Sequence, residues 1–143
     1  MSKIPEKFNE HINGAFPANP CLVGTVGPDG VPQISPKGSV LVLDGDTLAY
    51  WERGMRKAYN NLKSNPNVIV WYRNPELRAN GLLPAGGVAR FYGKAEVHES
   101  GALRDKVWDK VVEAEKKQDP ERKGAAIVIK IERAEQLNGK PLE

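Results

Sequence analysis

The spacing of apolar positions changes along the chain, and its first segment has a helical period. Ile4, Phe8 and Ile12 recur every four residues, which places them on one face of a helix over residues 3–14. Gly14 is expected to end that helix. We predict that this apolar stripe packs against the core of the protein.

A different pattern follows, in which short apolar or alternating runs are separated by turn residues. The turns are strongest at GPDG (27–30) and DGD (44–46), which predict two hairpins in succession. Pro36 lacks an N–H donor and is therefore expected at a strand end, an edge or a bulge. The predicted strands cover residues 21–27, 31–35, 40–43, 47–51, 67–72, 88–99 and 125–132.

Helical periods return at two places between these strands, and one long connection has neither pattern. Residues 54–64 and 101–118 have apolar residues at helical spacing, whereas residues 73–87 are rich in Pro and Gly and are expected to form a loop. The residues predicted to face the core are Ala58, Tyr59 and Leu62 in the first helix and Leu103, Val107, Val111 and Ala114 in the second.

Six or seven short strands with hairpin turns, interrupted by helices, predict a mainly β fold. We expect a small antiparallel β-barrel with flanking helices, formed as one domain over residues 1–143. Closing a sheet into a barrel is favourable because it removes exposed strand edges. A doubly wound α/β fold needs strands that alternate with crossover helices, and the two consecutive hairpins argue against it.

Composition and charge narrow the classes of function. The chain has 21 Lys and Arg against 18 Asp and Glu, a net charge of +3, and its charges are mixed along the sequence, so a nucleic-acid partner is not expected. Two histidines and one cysteine leave almost no ligands for a metal site. No apolar run approaches the roughly 20 residues that span a bilayer, and the N-terminus has charges where a signal peptide needs apolar residues. We therefore expect a cytoplasmic protein without a membrane partner.

The strongest candidate for chemistry is a basic pair at the start of the second predicted helix. Arg56 and Lys57 follow a strand and a Gly-containing turn, where unpaired N–H groups and the helix dipole already favour an anion. Cations there oppose the dipole unless a negative group lies between, so they predict a bound phosphate or carboxylate. Lys37, beyond the end of a neighbouring strand, can approach the same anion. The open alternative is that Arg53, Arg56 and Lys57 form a solvated helix face that pairs with Glu52.

An aromatic pair ends the strand immediately before this basic turn. Tyr50 and Trp51 are either core residues, since strands favour aromatics, or a wall for a planar ring whose polar edge meets the strand backbone. A binding function of another class also stays open, namely a small barrel that stacks single-stranded nucleic acid on its aromatic side chains. The mixed charge argues against that function.

The segment AYWERGMRKAYNNLKSNPNV (49–68) resembles the pyridoxamine 5'-phosphate oxidase-like FMN-binding split-barrel family in its order of strand, basic turn, helix, Asn-Pro and strand. The resemblance implies a split β-barrel that binds flavin mononucleotide (FMN). By position, it implies that Arg56 and Lys57 bind the phosphate of FMN and that Tyr50 and Trp51 flank the flavin. The further cofactor-binding residues that it implies, on the preceding strand, are Ser35, Lys37 and Gly38.

The resemblance also implies a homodimer, because members of this family place each flavin at the subunit interface. Residues 137–143 lack the Trp and Arg residues that true pyridoxamine phosphate oxidases have after the last strand, so a different reaction is expected. We predict an FMN-dependent oxidoreductase that acts by hydride transfer on a small molecule, with no catalytic side chain identified. Two alternatives on the same fold stay open: a deazaflavin-dependent reductase, and a flavin carrier or sensor without turnover.

Overall fold

The fold is built around seven β-strands. A computed structural model of the protein describes residues 2–143, and its strands agree closely with the apolar runs of the sequence. In chain order the strands are β1 (Cys21–Val26), β2 (Pro32–Lys37), β3 (Leu41–Asp44), β4 (Thr47–Glu52), β5 (Asn67–Arg73), β6 (Val88–His98) and β7 (Ala125–Gln136).

The strands form one sheet with the order β2-β1-β5-β6-β7-β4-β3, and all neighbouring strands are antiparallel. Strands β2 and β3 are its two edges, and no ladder joins them within the described residues, so the sheet is open. The prediction of a mainly β fold with six or seven antiparallel strands is confirmed, and the structure has seven. Pro36 lies on the edge strand β2, where its missing N–H costs no ladder hydrogen bond to a second neighbour.

The helices are short and lie in the connections. The N-terminal stripe forms a 3-10 turn and then a helix, and its three members Ile4, Phe8 and Ile12 are each 1% exposed, as predicted. None of the helices in residues 2–143 is long and apolar enough to cross a membrane. The helical segments are the 3-10 turn (Glu6–Phe8), α1 (Asn9–Asn13), α2 (Lys57–Ser64), α3 (Pro75–Ala79), α4 (Ala102–Lys110) and α5 (Glu113–Gln118).

Apolar residues are buried on both faces of the sheet, because alternate residues of a strand point to opposite sides. The interior cluster is the larger and includes Tyr50, Tyr72 and Phe91, together with the N-terminal stripe. The outer cluster lies between the sheet and α4. Its buried members are Leu41, Ala49, Trp51, Val107, Val111, Ala126 and Val128.

Two predicted segments differ from the structure. Residues 73–87 contain α3, whose first turn is capped by Asn74 Oδ1 accepting from the amide of Glu76 at 3.1 Å. The predicted helix over 101–118 is two helices, because Val111 and Val112 have extended backbone angles. Both are β-branched, which lowers helix propensity.

This break changes where the second half of the segment points. Val111 remains buried in the outer cluster, but the chain turns after it, so Ala114 is exposed rather than part of an apolar stripe. Helix α5 instead carries Glu115 to the end of β4, where it meets Arg53. The turn therefore contributes a carboxylate to the candidate site.

Candidate functional site

The candidate site lies where the ends of β2 and β4 and the start of α2 meet. Lys37 is the last residue of β2 and Glu52 the last residue of β4. The Nζ of Lys37 donates to both carboxylate oxygens of Glu52, each at 3.0 Å. Strand β2 is one edge of the open sheet, and β4 is next to the opposite edge. This ion pair therefore joins the two ends of the sheet, which no strand ladder joins within the described residues.

Ser39 reinforces the same junction. Its hydroxyl accepts from the amide of Trp51 at 3.0 Å and donates to the carbonyl of Trp51 at 3.3 Å. Ser39 is buried, and this pair of hydrogen bonds holds the segment after β2 against β4. The junction is therefore set by side chains rather than by strand pairing.

Two adjoining cavities open on this junction, one of about 510 Å³ and one of about 310 Å³. They share four residues, Lys37, Glu52, Gly54 and Arg56. The other residues of the larger cavity are Pro36, Gly38, Ser39, Trp51, Arg53 and Glu115. The other residues of the smaller cavity are Gln33, Ser35, Lys57 and Ala58.

Helix α2 begins with an unmatched positive end. Met55 has φ 49°, in the left-handed region, so the predicted helical start at residue 54 is replaced by a turn and α2 begins at Lys57. Arg56 occupies the N-cap position without a side-chain cap, and the first turn has no acidic residue. Among the ion pairs of residues 2–143, neither Arg56 nor Lys57 takes part, and both side chains are exposed.

Arg53 differs from these two cations. Its Nε lies 2.8 Å from Oε2 of Glu115 on α5. Burial raises the pKa of Glu115 above its usual range, and the charge of Arg53 reverses that shift only in part. None of Arg53, Arg56 and Lys57 pairs with Glu52 within residues 2–143, because Glu52 is bound to Lys37 and Arg53 to Glu115.

Tyr50 and Trp51 lie on opposite faces of β4. Tyr50 is fully buried in the interior cluster, 5.7 Å from its ring centre to Lys37 Nζ, and its hydroxyl has no hydrogen-bond partner in the described chain. Burial, and secondarily the charge of Glu52, raise the pKa of Tyr50. Its ring is a core residue beneath the site.

Trp51 belongs to the outer cluster. It borders the larger cavity with only 1% of its surface exposed. Its ring packs edge-on against Trp108 at 4.8 Å, the guanidinium of Arg104 lies 4.9 Å from it, and Nε1 donates to Asp119 at 2.8 Å. Both faces of β4 are therefore covered: Trp51 borders the larger cavity from the outer cluster, and the Tyr50 ring lies in the interior cluster.

The structure brings together six of the seven predicted site residues and adds others. Ser35, Lys37, Arg56 and Lys57 line the smaller cavity, and Gly38 and Trp51 line the larger one. A Cβ on Gly38 would lie 2.8 Å from the Phe16 ring. The residues that the sequence reasoning missed are Ser39, Glu52 and Glu115. Strand alternation could have indicated Glu52, since it is two residues from Tyr50 and therefore on the same face.

No group of three His, Cys, Asp or Glu side chains in residues 2–143 is arranged to hold an ion. Cys21 is buried, and burial raises its thiol pKa to about 12, so it is not a nucleophile at neutral pH.

Solved structures with the same fold cover almost the whole chain. The structure of HupZ from Group A Streptococcus is 26% identical, with a TM-score of 0.70 and 98% of each chain covered. A structure described as a pyridoxamine 5'-phosphate oxidase from Lactobacillus delbrueckii is 29% identical, with a TM-score of 0.65, covering 94% of this chain and 98% of its own. An F420 reductase structure is 23% identical, with a TM-score of 0.61, covering 92% and 98%.

A search of the curated proteins found no match. The family model described as pyridoxamine 5'-phosphate oxidase matches residues 4–138. That range includes all seven strands, the junction of β2 with β4 and the start of α2. The chain therefore belongs to the pyridoxamine 5'-phosphate oxidase family.

Proposed function

We propose that this protein binds FMN, with the phosphate in the smaller cavity and the flavin ring in the larger one, and that it is an oxidoreductase for a small molecule. Proteins of this family generally bind a flavin. The observation that carries the proposal is the unmatched positive end of α2, where Arg56 and Lys57 have no carboxylate partner in residues 2–143. A helix N-terminus with free amides and two free cations is suited to a phosphate.

The charges of the two cavities support this orientation. The smaller cavity has the cations Lys37, Arg56 and Lys57 against the carboxylate of Glu52, a net charge of +2. The larger cavity has three cations against two carboxylates, a net charge of +1. A phosphate monoester has a charge of about −1.5 to −2 at neutral pH, so it matches the smaller cavity. The volumes also suit a ligand of this size, since ligand pockets are typically about 300–1,000 Å³.

The side chains of this site then have distinct roles. Arg56 and Lys57 neutralise the phosphate, and Ser35 adds a hydroxyl to the same cavity. Gly38 and Lys37 form one wall of the larger cavity, and Tyr50 supports that wall from the core. Bound FMN supplies the hydride chemistry, while the protein supplies orientation and electrostatics.

A second copy of the chain completes the proposal. The family is commonly dimeric. The edge strand β2, which lines both cavities, leaves Ile34 63% exposed, and the adjoining Val31 is 50% exposed. Burying these side chains against a partner would remove apolar surface from water beside the site. We propose a cytoplasmic homodimer.

A titration with FMN tests the assignment. We expect the protein to bind FMN with a visible flavin spectrum. The Arg56→Ala and Lys57→Ala double variant should bind it at least about 100-fold more weakly, since each of the two charge-assisted hydrogen bonds contributes roughly 1.5–3 kcal/mol. Riboflavin, which lacks the phosphate, should bind both proteins alike. Lys63→Ala, at the other end of the same helix and paired with Glu99, is the control and should keep full affinity. Equal FMN affinity in the double variant would contradict the proposal.

A deazaflavin coenzyme is the second candidate, because the F420 reductase structure has the same fold. Parallel titrations with FMN and a deazaflavin separate the two, since their absorption spectra differ. A protein that binds either one but shows no turnover with a nicotinamide donor and small acceptors would be a carrier or sensor.

A further inference from the structure

A partly buried ion pair forms the wall that the two cavities share. The side chain of Lys37 is 16% exposed and that of Glu52 is 6% exposed, and both line the larger and the smaller cavity. The pair is also the direct side-chain link between the end of β2 and the end of β4. Its position gives it access to any ligand in either cavity.

Stability alone is a weak explanation for such a pair. Taking two charges out of water costs free energy that their attraction often fails to recover, and well-packed apolar residues can replace buried ion pairs without loss. A lysine ammonium has three N–H donors, and Glu52 accepts two of them. In the described chain the third donor has no hydrogen-bond acceptor and remains for a ligand in the cavities.

We propose that Glu52 is a positioning residue that fixes the Lys37 ammonium beside the bound flavin and, by offsetting its charge, sets the reduction potential of the cofactor. This inference rests on the proposed FMN function. It adds Glu52 to the site and the reduction potential to the properties that the site controls. Arg56 and Lys57 do not account for either, because they are assigned to the phosphate of FMN.

The sign of the effect follows from charge. A hydride brings two electrons and one proton to the bound cofactor, so reduction adds one negative charge. A cation next to the ring favours the reduced form and raises the potential, and charges near a flavin ring are a means by which proteins tune it. Glu52 opposes that effect, so removing its charge should raise the potential, and removing Lys37 should lower it.

The test measures the midpoint potential of the FMN-loaded protein by equilibration with a reference dye during reduction with dithionite. In Glu52→Gln, we expect the preference for reduced over oxidised cofactor to rise about tenfold, which is about 30 mV upward for a two-electron couple. In Lys37→Met, we expect a larger downward shift, about 100-fold or about 60 mV, because the ammonium lies beside the ring and Glu52 only offsets its charge. The double variant Lys37→Met with Glu52→Gln should lie between the two single variants.

Either single variant leaves one charge of the pair without its partner and can therefore fail to fold. The double variant removes both charges, so it serves as the test in that case. In that case a double variant with the wild-type potential refutes the inference, and one with a lower potential supports it. The matched control is Glu99→Gln, which breaks the exposed Lys63–Glu99 pair and should leave the potential unchanged.

The outcomes separate the two proposals. A Glu52→Gln protein that binds FMN at the wild-type potential refutes the inference alone, since FMN binding is then established. A wild-type protein that binds no FMN refutes the proposed function and this inference with it.

Discussion

The outer cluster under α4 includes Trp51, which is five residues before Arg56 at the basic start of α2, but the two regions are built in opposite ways. In the outer cluster, the indole of Trp51 donates to Asp119, and Asp119 also accepts from the amides of Lys123 and Gly124. At the start of α2, the cap position lacks a side-chain hydrogen bond and Arg56 has no ion-pair partner in residues 2–143.

This difference means that the outer cluster stabilises the fold, whereas the start of α2, a few residues after β4, is available for binding. A buried polar group that is fully hydrogen-bonded stabilises the fold, and removing its partner is costly. Unmatched cations add nothing to the folded state by themselves, and their interactions are available to a ligand. Changes in the outer cluster should therefore lower the free energy of unfolding. Changes at Arg56 and Lys57 should alter that free energy by no more than about 0.5 kcal/mol.

The largest expected effect is that of Trp51→Ala. The substitution removes a buried indole, its hydrogen bond to Asp119 and its contact with Trp108, and we expect the free energy of unfolding to fall by about 3–5 kcal/mol. Urea unfolding followed by circular dichroism measures this loss. A loss below about 1 kcal/mol, the size of an ordinary substitution, would contradict the role of Trp51 as a core residue.

A smaller effect, dependent on pH, is expected for Asp119→Asn. Although burial raises it, the pKa of Asp119 is lowered overall, because the Trp51 indole and the amides of Lys123 and Gly124 donate to the carboxylate. A lowered folded-state pKa means that this stabilisation is complete above the unfolded value of 3.8 and is lost as pH falls through the folded pKa. We expect Asp119→Asn to cost about 1–3 kcal/mol at pH 7.

The pH dependence provides the check on that prediction. The stability difference between wild type and Asp119→Asn should shrink as urea unfolding is repeated from pH 7 down to pH 3. Lys123→Ala leaves the backbone amide in place and serves as the control, with a stability close to wild type. A difference that stays constant with pH would show that the ionised carboxylate is not the stabilising species.

The smallest effect is expected for Tyr50→Phe, and it tests the boundary between the two regions. The buried hydroxyl of Tyr50 has no hydrogen-bond partner in residues 2–143, so its removal should be neutral or stabilise the fold by up to about 1 kcal/mol. FMN affinity should remain within a factor of about two, because the ring is a core residue. A clear loss of FMN affinity would instead place Tyr50 beside the flavin, as the resemblance implies.

The amino-acid sequence by itself determined the strands and the basic end of α2. These features are local: alternation and turn residues act over a few positions, and so the hairpins, the Ile4–Phe8–Ile12 stripe and the edge position of Pro36 were predictable. The charge of Arg56 and Lys57 at a helix start is likewise a matter of neighbouring residues. The break at Val111 and Val112 was less visible, since β-branched residues only weaken a helix.

The tertiary structure alone decided which of these residues meet. Lys37 and Glu52 are 15 residues apart, and their contact depends on how the open sheet brings its two ends together. Arg53 finds Glu115 only because the chain turns after α4. Trp51 is a core residue because α4 covers the outer face of β4. Strand alternation shows which face a residue lies on, but it does not predict whether a helix covers that face. Long-range contacts of this kind depend on the packing of whole elements, and local spacing contains no information about it.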